Sequence, residues 1–126
     1  MSHKIKEKNS PNTKALIAAI IQGMQAKKAM DITVLDLKKI SNAVANYFIL
    51  CTGQASTQVS AIAAEILKKS YEKAGQRPWK QEGFANQEWI LLDYADVVVH
   101  VFQPEPRAFY ALERLWGDAA VKVIKC

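Results

Sequence analysis

Cysteine is nearly absent: Cys51 and Cys126 are the only two in 126 residues. Two such residues build no disulfide framework and no paired Cys-x-x-Cys metal site, so a reducing, cytoplasmic compartment is expected. Histidine is as scarce. With His3 near the start and His100 far from it, His100 has no second imidazole to share a zinc ion with, and neither metal nor cofactor is expected. No apolar run approaches the ~20 residues that a membrane-spanning helix needs. The apolar stretch 15–21 after a basic start imitates part of a secretory signal, but it lacks a small-residue cleavage site and its stripe is amphipathic. Linkers, repeats and low-complexity tracts are also missing.

What is present suits one compact domain. Half of the residues are hydrophobic, and a chain of this length buries a core without covalent staples. A mobile basic tail is expected over 1–12, and one domain over 13–126. The net charge of +5 is unevenly spread. Residues 15–80 hold nine basic and four acidic side chains, whereas 81–118 hold two basic and seven acidic. The acidic half disfavours phosphate binding and favours a basic protein as partner.

Pro11-Asn12-Thr13 offers a helix start, followed by the apolar stripe Leu16, Ile17, Ile20, Ile21 and Met24. Residues 31–37 alternate as a strand does, and 47–51 form a short continuous apolar run suited to a strand buried on both faces. Ser56 or Thr57 can cap a second helix with Val59, Ile62, Ala63, Ile66, Leu67 and Tyr71 on one side, ended by Gly75. A third strand is expected around 77–81. Two apolar runs, 89–92 and 97–102, flank Asp93-Tyr94-Ala95-Asp96 and predict an antiparallel hairpin. With Tyr94 and Ala95 as its loop, Leu92 pairs with Val97 and Trp89 with His100. Alternation then gives a purely aliphatic face of Ile90, Leu92, Val97, Val99 and Val101. The opposite face carries Trp89, Leu91, Val98, His100 and Phe102. A helix begun by Pro106, with Phe109, Leu112 and Trp116 as its core stripe, completes the order α-β-β-α-β-β-β-α. The fold class is α+β (mixed α/β), a five-stranded mixed sheet with flanking helices.

The segment 88–116 resembles the signature of the ribosomal silencing factor family, also called Iojap-related. Asp31-Ile32-Thr33-Val34-Leu35-Asp36-Leu37, Tyr47-Phe48-Ile49-Leu50-Cys51-Thr52-Gly53 and Glu82-Gly83 follow the family's order, so the resemblance spans about residues 13–117. One departure is Ala95, where the family usually has Gly; positive φ there would cost Ala roughly 1 kcal/mol. The resemblance implies a nucleotidyltransferase-like fold without catalysis. Gly53 is followed by Gln54-Ala55-Ser56 and not by the serine of a Gly-Ser phosphate loop. Asp93 and Asp96 stand three apart across a turn, not as the Asp-x-Asp of a metal-binding strand.

The resemblance further implies a translational repressor that binds ribosomal protein fourteen of the large ribosomal subunit and blocks joining with the small subunit. Partner-binding residues carried over are Trp89, Asp93, Tyr94 and Asp96, with His100 on the same hairpin. A homodimer is expected when the protein is free, with no membrane and no sequence-specific nucleic acid as partner. Each residue also has a structural reading: Trp89 covered by the protein's own elements, His100 a satisfied core histidine, Asp93 and Asp96 turn formers. The alternative function is a direct RNA-binding module in ribosome assembly, using the basic half from Lys27 to Lys80.

Overall fold

A computed structural model of the protein describes residues 11–40, 43, 45–110 and 120–124. Helix α1 (Pro11–Ala26) leads to β1 (Met30–Asp36) and β2 (Tyr47–Thr52), then α2 (Ser56–Ala74). Strands β3 (Lys80–Glu82), β4 (Trp89–Asp93) and β5 (Val97–Phe102), helix α3 (Pro104–Tyr110) and strand β6 (Ala120–Ile124) follow. The expected mixed α/β order is present, with β6 added after α3. The described sheet has the order β3-β4-β5-β2-β1-β6. The β2–β5 pair is parallel and the other pairs are antiparallel.

The central pair explains the two most apolar runs. All of β5 is buried, as is β2 from Phe48 onward, so both faces of these strands need apolar side chains. On one face Leu16, Ile20 and Met24 of α1 and Val59, Ile62, Ala63 and Ile66 of α2 cover Ile49, Cys51, Ile90, Leu92, Val97, Val99 and Val101. The helices approach closely: a Cβ on Gly23 would stand 2.9 Å from the Cα of Ile66. That contact requires glycine for space and not for its backbone freedom.

Three expectations are corrected. Tyr71 does not join the α2 stripe; it is 53% exposed, and Ser70 is buried in its place. Eleven residues make just over three full turns, which brings residue 70 within about 20° of Val59, whereas residue 71 lies about 120° away. Strand β3 starts later than expected, at Lys80. Helix α3 begins at Pro104, with Pro106 inside its first turn, where a missing N–H costs nothing. The expected stripe of Phe109, Leu112 and Trp116 lies outside the described residues, save for the backbone of Phe109. Of the expected tail, residues 1–10 lie outside them too, and Pro11 and Asn12 belong to α1.

Candidate functional site

The hairpin turn sets the site's position. The pairing is Trp89 with Phe102, Ile90 with Val101, Leu91 with His100, Leu92 with Val99 and Asp93 with Val98. This is two residues from the expected register, because the loop is centred on Ala95-Asp96 and not on Tyr94-Ala95. Tyr94 N–H donates to the Val97 carbonyl at 2.8 Å, and Asp96 N–H to the Tyr94 carbonyl at 3.1 Å. Ala95 lies between them with φ 77, the strained γ-turn arrangement that glycine adopts at lower cost. Asp93 Oδ1 accepts from Ala95 N–H at 2.8 Å and fixes the turn. A shift of two residues equals the side-chain period, so the two faces keep their expected membership.

Other elements tie the turn down. Thr13 Oγ1 of α1 donates to Asp96 Oδ2 at 3.2 Å. The Asp96 carbonyl accepts from the N–H groups of Asn46 and Tyr47 at 2.9 and 3.0 Å. Tyr94 turns inward beneath α2, and its hydroxyl shares a hydrogen bond of 2.8 Å with Ser70 Oγ. Burial pushes the Tyr94 phenol up to about 12. Tyr94 therefore separates from the other nominated residues: its ring belongs to the helix-side core. Asp93 is buried and Asp96 half-buried.

The face away from α1 and α2 carries the aromatic group. Trp89 stacks on Phe102 with ring centroids 5.0 Å apart. Phe48 of β2 meets the His100 ring edge-on at 4.8 Å. Trp89 Nε1–H donates to His100 Nδ1 at 3.0 Å, joining the two nominated residues directly across the strands. The indole nitrogen can only donate, so Nδ1 is the unprotonated nitrogen and the ring proton sits on Nε2. Nε2 is buried without a hydrogen-bond partner. Burial also holds the imidazole down at about 3, so it is neutral near pH 7 and serves as an acceptor that orients Trp89. Trp89 and Leu91 remain half-buried, so this aromatic face reaches the surface at β4.

Residues outside the nominated set also build the site. Gly83 has φ 92, and a Cβ there would run into the carbonyl of Trp89, so glycine lets the β3–β4 connection pass against the Trp89 backbone. Ser70 was not singled out from the sequence, which placed Tyr71 in the stripe, although a serine at the helical angle of an apolar stripe is a signal of a buried hydrogen bond. Arg107 clamps α3 onto the sheet. It donates to the Asp31 carbonyl at 2.7 Å, Thr52 Oγ1 at 2.9 Å and Thr33 Oγ1 at 3.1 Å. No local sequence pattern identified those partners, which lie on β1 and β2. Burial raises the Cys51 thiol far above its ordinary value against the smaller lowering effect of the Arg107 charge, leaving it unsuited to nucleophilic chemistry. Among the described residues no three His, Cys, Asp or Glu side chains converge on a point.

Residues 10–125 match the family model described as ribosomal silencing factor during starvation. Over 108 residues the chain is 44% identical to ribosomal silencing factor RsfS of Bacillus subtilis (strain 168), covering 86% of this chain and 90% of that protein. Protein CV0518 from Chromobacterium violaceum, a crystal structure, aligns with a TM-score of 0.77 at 35% identity, covering 82% of this chain and 85% of that one. A Bacillus halodurans crystal structure aligns with a TM-score of 0.71 at 34% identity, covering 90% and 99% of the two chains.

Proposed function

Because the chain belongs to the ribosomal silencing factor family, we propose that it represses translation by binding the large ribosomal subunit through ribosomal protein fourteen. Bound there, it sterically blocks joining with the small subunit and needs no catalytic turnover. It acts in the cytoplasm and forms a homodimer when free.

The observation that carries this reading is the pre-oriented Trp89. Its indole is stacked on Phe102 and hydrogen-bonded to His100, yet on β4 it is only half-buried. An aromatic anchor already held in one orientation loses little freedom on binding, which favours a tight contact. The carboxylates of Asp93 and Asp96 close the same hairpin and complement a basic ribosomal protein, with an effect mainly on association. Tyr94 contributes from below, as the strut that holds the turn against α2. Sedimentation with purified subunits tests the reading: the protein is expected to travel with free large subunits and not with small subunits or assembled ribosomes. Equal association with small subunits would contradict the steric mechanism.

A further inference from the structure

A run of basic side chains stands beside two exposed aromatics. Between residues 68 and 80 stand Lys68, Lys69, Lys73, Arg77 and Lys80 against the single acid Glu72. Two large aromatics in this same stretch face solvent, Tyr71 at 53% and Trp79 at 48% exposure. Arg77 lies over the former, its guanidinium carbon 4.2 Å from the Tyr71 ring centroid. Trp79 is held by its backbone, which donates to the Asp93 carbonyl at 2.9 Å. Lys80 pairs with Asp93 as the first residue of β3, and Trp79 stands immediately before that strand. The result is a cationic flank with aromatic faces, along the end of α2 and the sheet edge.

We infer that this flank is a second contact surface that takes single-stranded RNA, with bases stacking on Tyr71 and Trp79 and phosphates meeting Lys68, Lys73 and Arg77. Exposed aromatics interleaved with cations are the chemistry of that ligand, since every base has a face to stack and every nucleotide a phosphate to neutralise. Charge complementarity favours RNA over a second copy of this chain, whose like-charged flank would repel. The sheet edge also discourages strand pairing: β3 has three residues, all exposed, and Lys80 and Glu82 form an ion pair of 2.9 Å along it. Ser70, next to Tyr71, bonds Tyr94 in the hairpin turn, so the cationic flank adjoins the acidic turn. A ribosomal surface, basic protein set in RNA, presents partners to both; the inference rests on the ribosome reading for the source of the RNA, and not for the binding chemistry.

The test uses the full chain and a short fluorescein-labelled single-stranded RNA of mixed sequence, followed by anisotropy across a salt series. Binding is expected to weaken linearly in log salt with a slope of roughly −2, for about three neutralised phosphates. Tyr71→Ala and Trp79→Ala are each expected to weaken it by about five- to a hundred-fold, and Arg77→Gln to flatten the slope by about 0.7. Trp89→Ala should leave RNA binding unchanged, which separates this surface from the protein-binding face: loss of large-subunit binding by that variant with RNA binding intact supports both readings separately. The inference is overturned by absence of binding at low salt, or by binding that ignores Tyr71 and Trp79. It is equally overturned if Trp79→Ala dissociates a dimer in sedimentation equilibrium while RNA binding does not change, because the flank would then be covered by a second copy.

Discussion

The two faces of one sheet are built by different rules. On the helix side, α1 and α2 cover an almost entirely aliphatic surface in which Val99, Ile90 and Val101 are fully buried. Such a surface is stabilised by area alone, roughly 25 cal/mol per Å² of apolar surface removed from water, with no direction imposed on any side chain. On the opposite face Phe48, Leu50, Val98 and Phe102 are joined by a neutral buried imidazole whose Nδ1 accepts from the indole of Trp89 and whose Nε2 is left without a partner. There every orientation matters, because an unpaired buried nitrogen costs about 1–3 kcal/mol. The second face thus sacrifices some stability for a fixed geometry, as the proposed recognition surface requires.

The largest expected effect breaks the helix side. Val99→Asp places an uncompensated carboxylate among Ile90, Val97 and Val101 and should cost more than about 4 kcal/mol, which is enough to unfold a small domain. Leu91→Asp, half-buried on the other face, should be distinctly milder by urea denaturation. Equal losses would mean that the faces do not differ as described.

A pH series sharpens the comparison. His100 is held at about 3 in the folded chain, against about 6.5 when unfolded. The unfolded state therefore binds the proton first on acidification. The stability carried by the neutral ring is complete above about pH 6.5 and is lost progressively as pH falls toward 3, by about 2 kcal/mol at pH 5 relative to pH 7.5. His100→Gln should remove this component of the acid sensitivity, seen as a smaller fall in Tm between those pH values. An unchanged pH dependence would mean that the imidazole is not the buried neutral group.

The smallest effect is a gain. Ala95→Gly should relieve the positive φ of 77 and stabilise the protein by about 1 kcal/mol without altering the hairpin pairing. Lower stability in the urea midpoint would show that the turn does not hold Ala95 in strain.

Which parts of this were legible follows from the physics of each signal. Period-two alternation assigned Ile90, Leu92, Val97, Val99 and Val101 to one buried face, because side-chain direction depends only on the strand itself. The pairing was not legible to the residue: it depends on where the loop centres, and that is decided by Asp93 bonding the Ala95 N–H and by contacts from Thr13 and Ser70 on distant helices. Strand β6 escaped notice because Ala-Val-Lys-Val-Ile is short and takes its meaning from pairing with β1. For the candidate site, the hairpin location and the Trp89–His100 face were readable from composition. The inward turn of Tyr94 was not, since its partner Ser70 stands 24 residues away in sequence. Tyr71 shows the limit of apolar counting: an aromatic side chain was assigned to the stripe although its angle on α2 places it outside.

The most direct test of the central claim is large-subunit cosedimentation of Trp89→Ala, with its fold verified by circular dichroism at a temperature below its melting transition. The account predicts a folded protein whose affinity for large subunits falls about thirty-fold, the equivalent of roughly 2 kcal/mol for an interface anchor. A folded Trp89→Ala protein that binds large subunits with wild-type affinity would contradict it.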